Sequence, residues 1–400
     1  MGLGIIWLSR AKGAKPTPQG GVPVSSSREL YTRMIHTLSP LVSVAHIAHL
    51  TNWVWIVVGI VQANSIALSR IAIHIPGAAQ AESRVTTIRR WLKNFRVDVW
   101  ELYRPVLAQA LQGWQTVTAI VILDGVMVFG DRWQIFRLSL AHAGRAIPLV
   151  WLVLPGKGLT QMEKLEALLT RAAAFLNPRV KRVIFLADAG FRDCDWAQLC
   201  LKIGWRYGIR IACNTYVTLT NGWYGPVAAL GVKPGQRRYY QEVWLTQARK
   251  LCTHLTVTWT PGDEKHPPEL LALISDQPAA RARLREYASR MHTEESFRDD
   301  KSGGFDMAHT RLRHADRLER LLLAVAIATL WCHELGEQVL EDGEAARRAI
   351  DPGPTREVSL FPLGLRWLKR CVSTNINLLP AFLARLSPLR RWVIVGQGVS

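Results

Sequence analysis

Four side chains that suit phosphate chemistry recur at helical spacing between residues 287 and 301. They are a phenol, a guanidinium, a carboxylate and an ammonium, carried by Tyr287, Arg290, Glu294 and Lys301. At about 100° per residue they fall within an arc of about 60° on one face of a helix. The carboxylate can hold a divalent cation while the other three groups hold phosphates. A solvated face with an i,i+4 pair between Arg290 and Glu294 is an equally good interpretation of the helix alone.

The helix that positions this stripe is predicted from propensity. The segment lacks Pro and Gly and is rich in Arg, Leu, Ala and Glu, so we expect one continuous helix that begins near Ala279. Gly303 and Gly304 end it.

Two aspartates upstream each follow a hydrophobic, strand-like run. Val117–Leu123 precedes Asp124, and Val183–Ala187 precedes Asp188. Either carboxylate alone is explained by backbone N–H groups in a turn. Two carboxylates on neighbouring strands repel each other unless a cation lies between them, so the pair favours a metal site.

The elements around the two aspartates predict an α/β fold with the order β-β-β-α-β-α-β, which is the order of an RNase H-like mixed sheet flanked by helices. Short turns indicate that the first three strands are antiparallel. The remaining predicted segments are strands at Gln134–Leu140, Ile147–Leu154 and Tyr207–Cys213, and helices at Thr160–Leu176 and Asp195–Ile203.

The pattern Tyr287-x2-Arg290-x3-Glu294-x6-Lys301 resembles the Tyr-Arg-Glu-Lys signature of bacterial insertion-sequence transposases of the DDE type. The resemblance covers about residues 82–337 and implies an RNase H-like catalytic core with a β-rich insertion between Asp188 and Glu294. Strands expected in the insertion are Arg238–Trp244, His254–Trp259 and Leu270–Ile274.

By the same resemblance, Asp124, Asp188 and Glu294 would bind two Mg²⁺ ions, for which Mn²⁺ can substitute. Tyr287, Arg290 and Lys301 would bind DNA. The implied partners are the terminal inverted repeats of an element and its target DNA, and the implied active form is a homodimer. The implied reaction is cut-and-paste transposition, in which ends are cleaved and 3′-hydroxyls are joined to target DNA.

The charge of the chain agrees with a polyanionic partner. The net charge is +19 and the isoelectric point is near 10.2. Arg89, Arg90 and Lys93 cluster around Trp91 and Phe95, and we interpret them as a DNA-binding helix. A solvated face over a core stripe is the alternative.

Other features exclude several classes of protein. The apolar runs are too short to span a bilayer, so we expect no membrane association and a cytoplasmic protein. The resemblance to insertion-sequence transposases implies that the protein is bacterial and nucleoid-associated. Six cysteines without a Cys-x2-Cys pair argue against zinc and disulfides.

The predicted organisation has six parts. Within it, helices are expected at Glu29–Leu38, Leu41–Ile60, Glu82–Phe95, Trp100–Leu111 and Arg317–Val339, and short helical pieces at Arg366–Cys371 and Ala381–Leu386. The parts are a flexible basic arm (1–27), a helical DNA-binding domain (28–115), the first part of the core (116–220), the β-rich insertion (221–276), the second part of the core (277–340), and a linker with a basic C-terminal segment (341–400).

Two other functions fit parts of this pattern. One is a metal-dependent nuclease of the same fold that cuts DNA without joining it. The other is a retired transposase that acts as a DNA-binding repressor.

Overall fold

The structure is a computed structural model of the 400-residue chain. It describes residues 26–156, 162–191, 194–246, 251–262, 267–299, 304–307, 312–374 and 381–388. Lys301 and Arg311 lie outside the described residues.

Helices dominate both ends of the described chain, and strands dominate its middle. The helices are α1 (Ser26–Leu38), α2 (Ile47–Ala63), α3 (Leu68–Ile73), α4 (Ala81–Lys93), α5 (Val99–Ala110), α6 (Met162–Leu176), α7 (Cys194–Lys202), α8 (Arg281–Ala288), α9 (Met291–Arg298), α10 (Ala315–Glu341), α11 (Glu344–Arg348) and α12 (Leu360–Ser373). The strands are β1 (Thr118–Val128), β2 (Trp133–His142), β3 (Arg145–Pro155), β4 (Arg182–Ala187), β5 (Arg206–Ile211), β6 (Tyr216–Thr218), β7 (Tyr224–Pro226), β8 (Arg237–Leu245), β9 (Leu251–Trp259) and β10 (Leu270–Ser275).

All these strands form one mixed sheet in the order β3-β2-β1-β4-β5-β10-β9-β8-β6-β7. β1 pairs with β4, and β4 with β5, in parallel, whereas β1, β2 and β3 form an antiparallel meander. The mixed α/β class and the β-β-β-α-β-α-β order predicted from the sequence are confirmed.

The strands expected between Asp188 and Glu294 are also present, and they extend the same sheet. β10 pairs antiparallel with β5, so the far half of the sheet continues directly from the parallel strands. β9, β8, β6 and β7 then follow in that order.

The largest apolar cluster joins the N-terminal helices to the rest of the molecule. Trp53 of α2 and Trp331 of α10 are both fully buried in it. α10 crosses α12 so closely that a Cβ atom at Gly364 would overlap the carbonyl oxygen of Cys332. Glycine at this position therefore permits the contact of the two helices.

The prediction of one continuous helix from Ala279 is wrong. The chain forms α8 and α9, separated by a turn at Ser289 and Arg290 in which the amides of Ser289 and Arg290 bond three residues back. α8 contacts β5 and β10, whereas α9 lies against β1, β2 and β3. The tighter turn redirects the chain from β5 and β10 to the three strands of the antiparallel meander.

Three other boundaries differ from the prediction. The helix expected from Leu41 begins at Ile47. β1 continues beyond Leu123 to Val128, because Asp124 and the residues after it still pair with β2. Residues 381–386 are not helical, since two amides of this segment donate to the side-chain carboxylate of Glu334 on α10.

Candidate active site

The parallel pairing of β1 and β4 brings Asp124 and Asp188 to neighbouring positions. The last paired residues are Leu123 and Ala187; Asp124 is the next residue of β1, and Asp188 directly follows the end of β4. Ile122 and Leu186, two residues earlier, pair with each other and belong to one apolar cluster under α8. Because alternate residues of a strand share a face, Asp124 lies on this side of the sheet.

Glu294 of α9 reaches the same place from above the sheet. Asp124, Asp188, Glu294 and Arg290 all line one open depression of about 450 Å³. The structure therefore brings together three carboxylates that are far apart in sequence. Asp188 lies 64 residues after Asp124, and Glu294 lies 106 residues after Asp188. Their convergence was expected from the sequence.

Arg290 lies between two of the carboxylates. Its guanidinium is 3.5 Å from Asp124 Oδ2 and also forms an ion pair with Glu294 Oε1. Burial lowers the pKa of Arg290, but Tyr287, Glu294 and the aspartates more than offset this and raise the pKa overall. Arg290 is thus a fixed positive charge in the depression.

The carboxyl group of Asp124 has a raised pKa. Burial raises its pKa, and the charges of Asp188 and Glu294 add to the increase. Arg290 and a hydrogen bond from the Gly125 amide oppose it. The three carboxylates therefore influence one another electrostatically, which favours a bound cation.

Tyr287 lies beneath the depression. It packs in the apolar cluster with Ile122 and Leu186, and its side chain is buried. Burial raises its pKa to about 12, and its hydroxyl has no hydrogen-bond partner among the described residues. Its contact with DNA stays a prediction.

The donor atoms of the depression suit a hard divalent cation, because all three candidate ligands are carboxylates. Within the described part of the chain, however, no group of three His, Cys, Asp or Glu side chains is arranged as a metal centre. The positive charge near Asp124 and Glu294 is supplied by Arg290. The residues fit Mg²⁺ by chemistry, and a metal would replace an existing guanidinium contact.

Two arginines that the sequence reasoning missed support α9 from below. Arg137 is opposite Asp124 in the β1–β2 register, and its guanidinium lies 4.1 Å from the ring centre of Phe297. Arg145 donates to Asp299 Oδ2 at 2.6 Å, and so anchors the end of α9 to β3. Arg137 could have been noticed in the sequence because it is an arginine within an otherwise apolar strand.

The predicted DNA-binding helix is α4. Arg89, Arg90 and Lys93 are exposed, which leaves all three available to a partner. Trp91 is buried and donates to the carbonyl of His49 at 2.9 Å, so it has a core role. Phe95 is 82% exposed just after the helix.

Among the described residues, no helix is long and apolar enough to cross a bilayer.

Comparison with known proteins gives little. No protein-family model and no curated protein matches the chain. One similar solved structure is a piggyBac transposase in a synaptic complex with hairpin DNA, at 9% identity and a TM-score of 0.42. The match covers 87% of this chain and 82% of that chain.

Proposed function

We propose that this chain is a DNA transposase of an insertion sequence, with an RNase H-like core. It binds the inverted repeats at the element's ends, cleaves them, and joins the 3′-hydroxyls to target DNA. Asp124, Asp188 and Glu294 are the catalytic carboxylates. The strand order β3-β2-β1-β4-β5, with β2 antiparallel to β1, supports the RNase H-like assignment.

One observation carries the proposal: carboxylates from β1, β4 and α9 line a single open depression. Two of them follow the last paired residues of adjacent parallel strands. A turn or cap would explain one such acid, but it would not explain three acids from separate elements around one space.

Each side chain has its own task. The three carboxylates hold two Mg²⁺ or Mn²⁺ ions, which when bound supply Lewis acidity at the phosphorus being attacked. Arg290 is close enough to the carboxylates to orient and neutralise a phosphate beside them. Lys301, in the same signature, is assigned to DNA by resemblance alone.

The exposed cations of α4 extend this surface. Arg89, Arg90 and Lys93 contact the DNA backbone, and their exposure and the net charge of +19 support that role. Because two element ends react together, the active complex is a homodimer.

The test is a plasmid assay in which the inverted repeats that flank the gene serve as substrate. With Mg²⁺, we expect excised element and joined products, and Asp188→Ala should lose both while still binding the repeats. Cleavage without joining would identify a nuclease. Binding of the repeats without cleavage in the wild type would identify a repressor.

A further inference from the structure

A small basic pocket lies where α4 meets the start of α10. It has a volume of about 180 Å³, and Arg89, Arg313, His314 and Arg317 line it with two leucines. Arg89 belongs to α4, whereas the other three belong to a segment more than 200 residues later. We propose that this pocket binds one phosphate of the DNA backbone and sets the register of the duplex on the protein.

Arg89, Arg313 and Arg317 form no ion pair within 4.0 Å with the carboxylates of the described residues. The nearby carboxylate of Asp316 pairs instead with Arg320, at 2.7 Å. Asp316 also attracts Arg317 without forming an ion pair with it. Three guanidinium groups that converge in one pocket repel one another, so an anion between them is favourable.

The wall of the pocket is held in place by Arg320. This buried arginine donates to the carbonyl of Leu92 at 2.9 Å and to that of Val97 at 3.3 Å. Leu92 is itself part of the pocket. The two halves of the pocket are therefore joined by hydrogen bonds before any ligand arrives, which lowers the entropic cost of binding.

The size of the pocket decides between two kinds of anion. Pockets for small organic ligands usually measure roughly 300 to 1,000 Å³. A space of about 180 Å³ is too small for a nucleotide but accommodates a single phosphate group. Arginine donors in a fork geometry match the oxygens of such a group.

The sheet register relates the pocket to the carboxylates. Asp124 is opposite Arg137, and Arg137 is opposite Trp151 on β3. The indole of Trp151 donates to the carbonyl of Glu319 at 3.2 Å, two residues after Arg317. With strands about 4.8 Å apart and a helix about 10 Å beyond, the pocket lies on the order of 20 Å from Asp124.

That separation suits a single duplex. Phosphates along one strand are about 3.4 Å apart in the axial direction, so the pocket and the depression can contact sites about six base pairs apart. This inference rests on the proposed function, and it adds that a specific phosphate of the element's end is fixed at a set distance from the reacting bond.

The experiment uses the full chain and fluorescence anisotropy with a labelled duplex in the absence of divalent metal. The dissociation constant is measured from about 50 to about 300 mM salt for wild type and Arg313→Ala/Arg317→Ala. If the two arginines share one phosphate, the slope of log K against log salt falls by about 1, and by up to about 2 if they hold two. A lysine pair at the same positions should keep the slope and weaken binding.

The matched control is Arg104→Ala/Arg348→Ala, which removes the same charge. These exposed arginines pair with Glu101 and Glu344, at 3.0 and 3.4 Å. An unchanged slope in this control is expected. If both double variants change the slope equally, or neither does, the pocket proposal is overturned even when wild type still binds and cleaves DNA.

A second arm separates DNA from free phosphate as the ligand. Titration calorimetry with inorganic phosphate should give weak binding that saturating duplex abolishes. Tight phosphate binding that persists with duplex bound would overturn the DNA assignment. Failure of wild type to bind duplex at all would defeat the proposed function together with the pocket.

Discussion

Two groups of carboxylates in this molecule meet different surroundings. Asp124, Asp188 and Glu294 face an open depression with Arg290 among them. Glu334 and Glu337 on α10 are buried and covered by residues 381–388. The first group is open to solvent, whereas the second is enclosed by the protein.

The partners of the buried group are groups of the protein itself. Glu334 accepts the amides of Leu383 and Arg385, at 2.8 and 3.4 Å. Glu337 contacts His142 Nε2 at 2.6 Å and accepts the amide of Ser387 at 3.1 Å. These contacts fasten the C-terminal segment to α10, so burial together with backbone partners marks a structural role.

A raised pKa occurs in both groups, so it does not distinguish the open carboxylates from the buried ones. Burial raises the pKa of Asp124 and also raises that of Glu334, to about 8. The difference lies in access: a metal ion or a phosphate can reach only the first group. We expect substitutions in the open group to reduce cleavage and substitutions in the buried group to reduce stability. The opposite assignment of these two effects would contradict the comparison.

The largest effect is expected on the chemistry of the open group. Glu294→Gln should lower Mg²⁺-dependent cleavage of end DNA by at least about a thousandfold, because one ligand of the cations is lost. Binding of the duplex and the melting temperature should change little. Cleavage rates at saturating enzyme, with anisotropy for binding, measure this.

The matched control for that variant is Glu295→Gln. Glu295 is the next residue of α9 and pairs with Arg298 and Arg145. Equal losses of cleavage in the two variants would show that the helix is disturbed and that Glu294 has no special role.

Glu334→Ala should reduce the stability of the fold and leave the cleavage reaction unaffected. The amides of Leu383 and Arg385 would lose their acceptor, and we expect the free energy of unfolding to fall by about 2 to 4 kcal/mol. The cleavage rate per folded molecule should remain unchanged. Urea denaturation measures the free energy of unfolding, and an unchanged midpoint would contradict the structural role of Glu334.

The pH dependence of stability sharpens the contrast. The pKa of Glu334 is raised from 4.5 to about 8, so the folded protein holds a proton that the unfolded chain releases. The stability from this group is complete below pH 4.5 and is lost as the pH rises to about 8. The melting temperature of wild type, relative to Glu334→Gln, should therefore fall between about pH 5 and about pH 8.5. Parallel curves for the two proteins would contradict this.

The smallest effect concerns Arg290. Without metal, Arg290→Gln leaves Asp124 and Glu294 without their shared cation, and the melting temperature should fall by a few degrees. Mg²⁺ should then stabilise this variant more than wild type, because no guanidinium competes with the metal. Arg298→Gln, which changes an exposed arginine at the same depression, should respond as wild type does. The same response of all three proteins would refute competition between Arg290 and metal.

Much of the sheet that carries Asp124 and Asp188 was predictable because its strands are apolar and their turns are short. The runs before Asp124 and Asp188 predicted two neighbouring strands, and the parallel register then aligned the aspartates. The type and spacing of residues also predicted that Glu294 and Arg290 would lie together.

Other features depend on contacts that a local pattern does not contain. The break between α8 and α9 arises because the two helices pack on different strands of the sheet, although helix propensity runs through it unbroken. The irregular segment 381–386 has helical composition, but the carboxylate of Glu334, more than 45 residues away in sequence, accepts hydrogen bonds from its amides. The pocket of Arg89, Arg313 and Arg317 needs the docking of α4 on α10.

Binding of Mn²⁺ to the DNA-free protein, followed by electron paramagnetic resonance, tests the three open carboxylates as one cation site. Wild type and Glu334→Gln should bind the ion equally, whereas Asp124→Asn, Asp188→Asn and Glu294→Gln should each weaken binding by about tenfold or more. Equal Mn²⁺ binding by all five proteins would contradict a shared site at this depression.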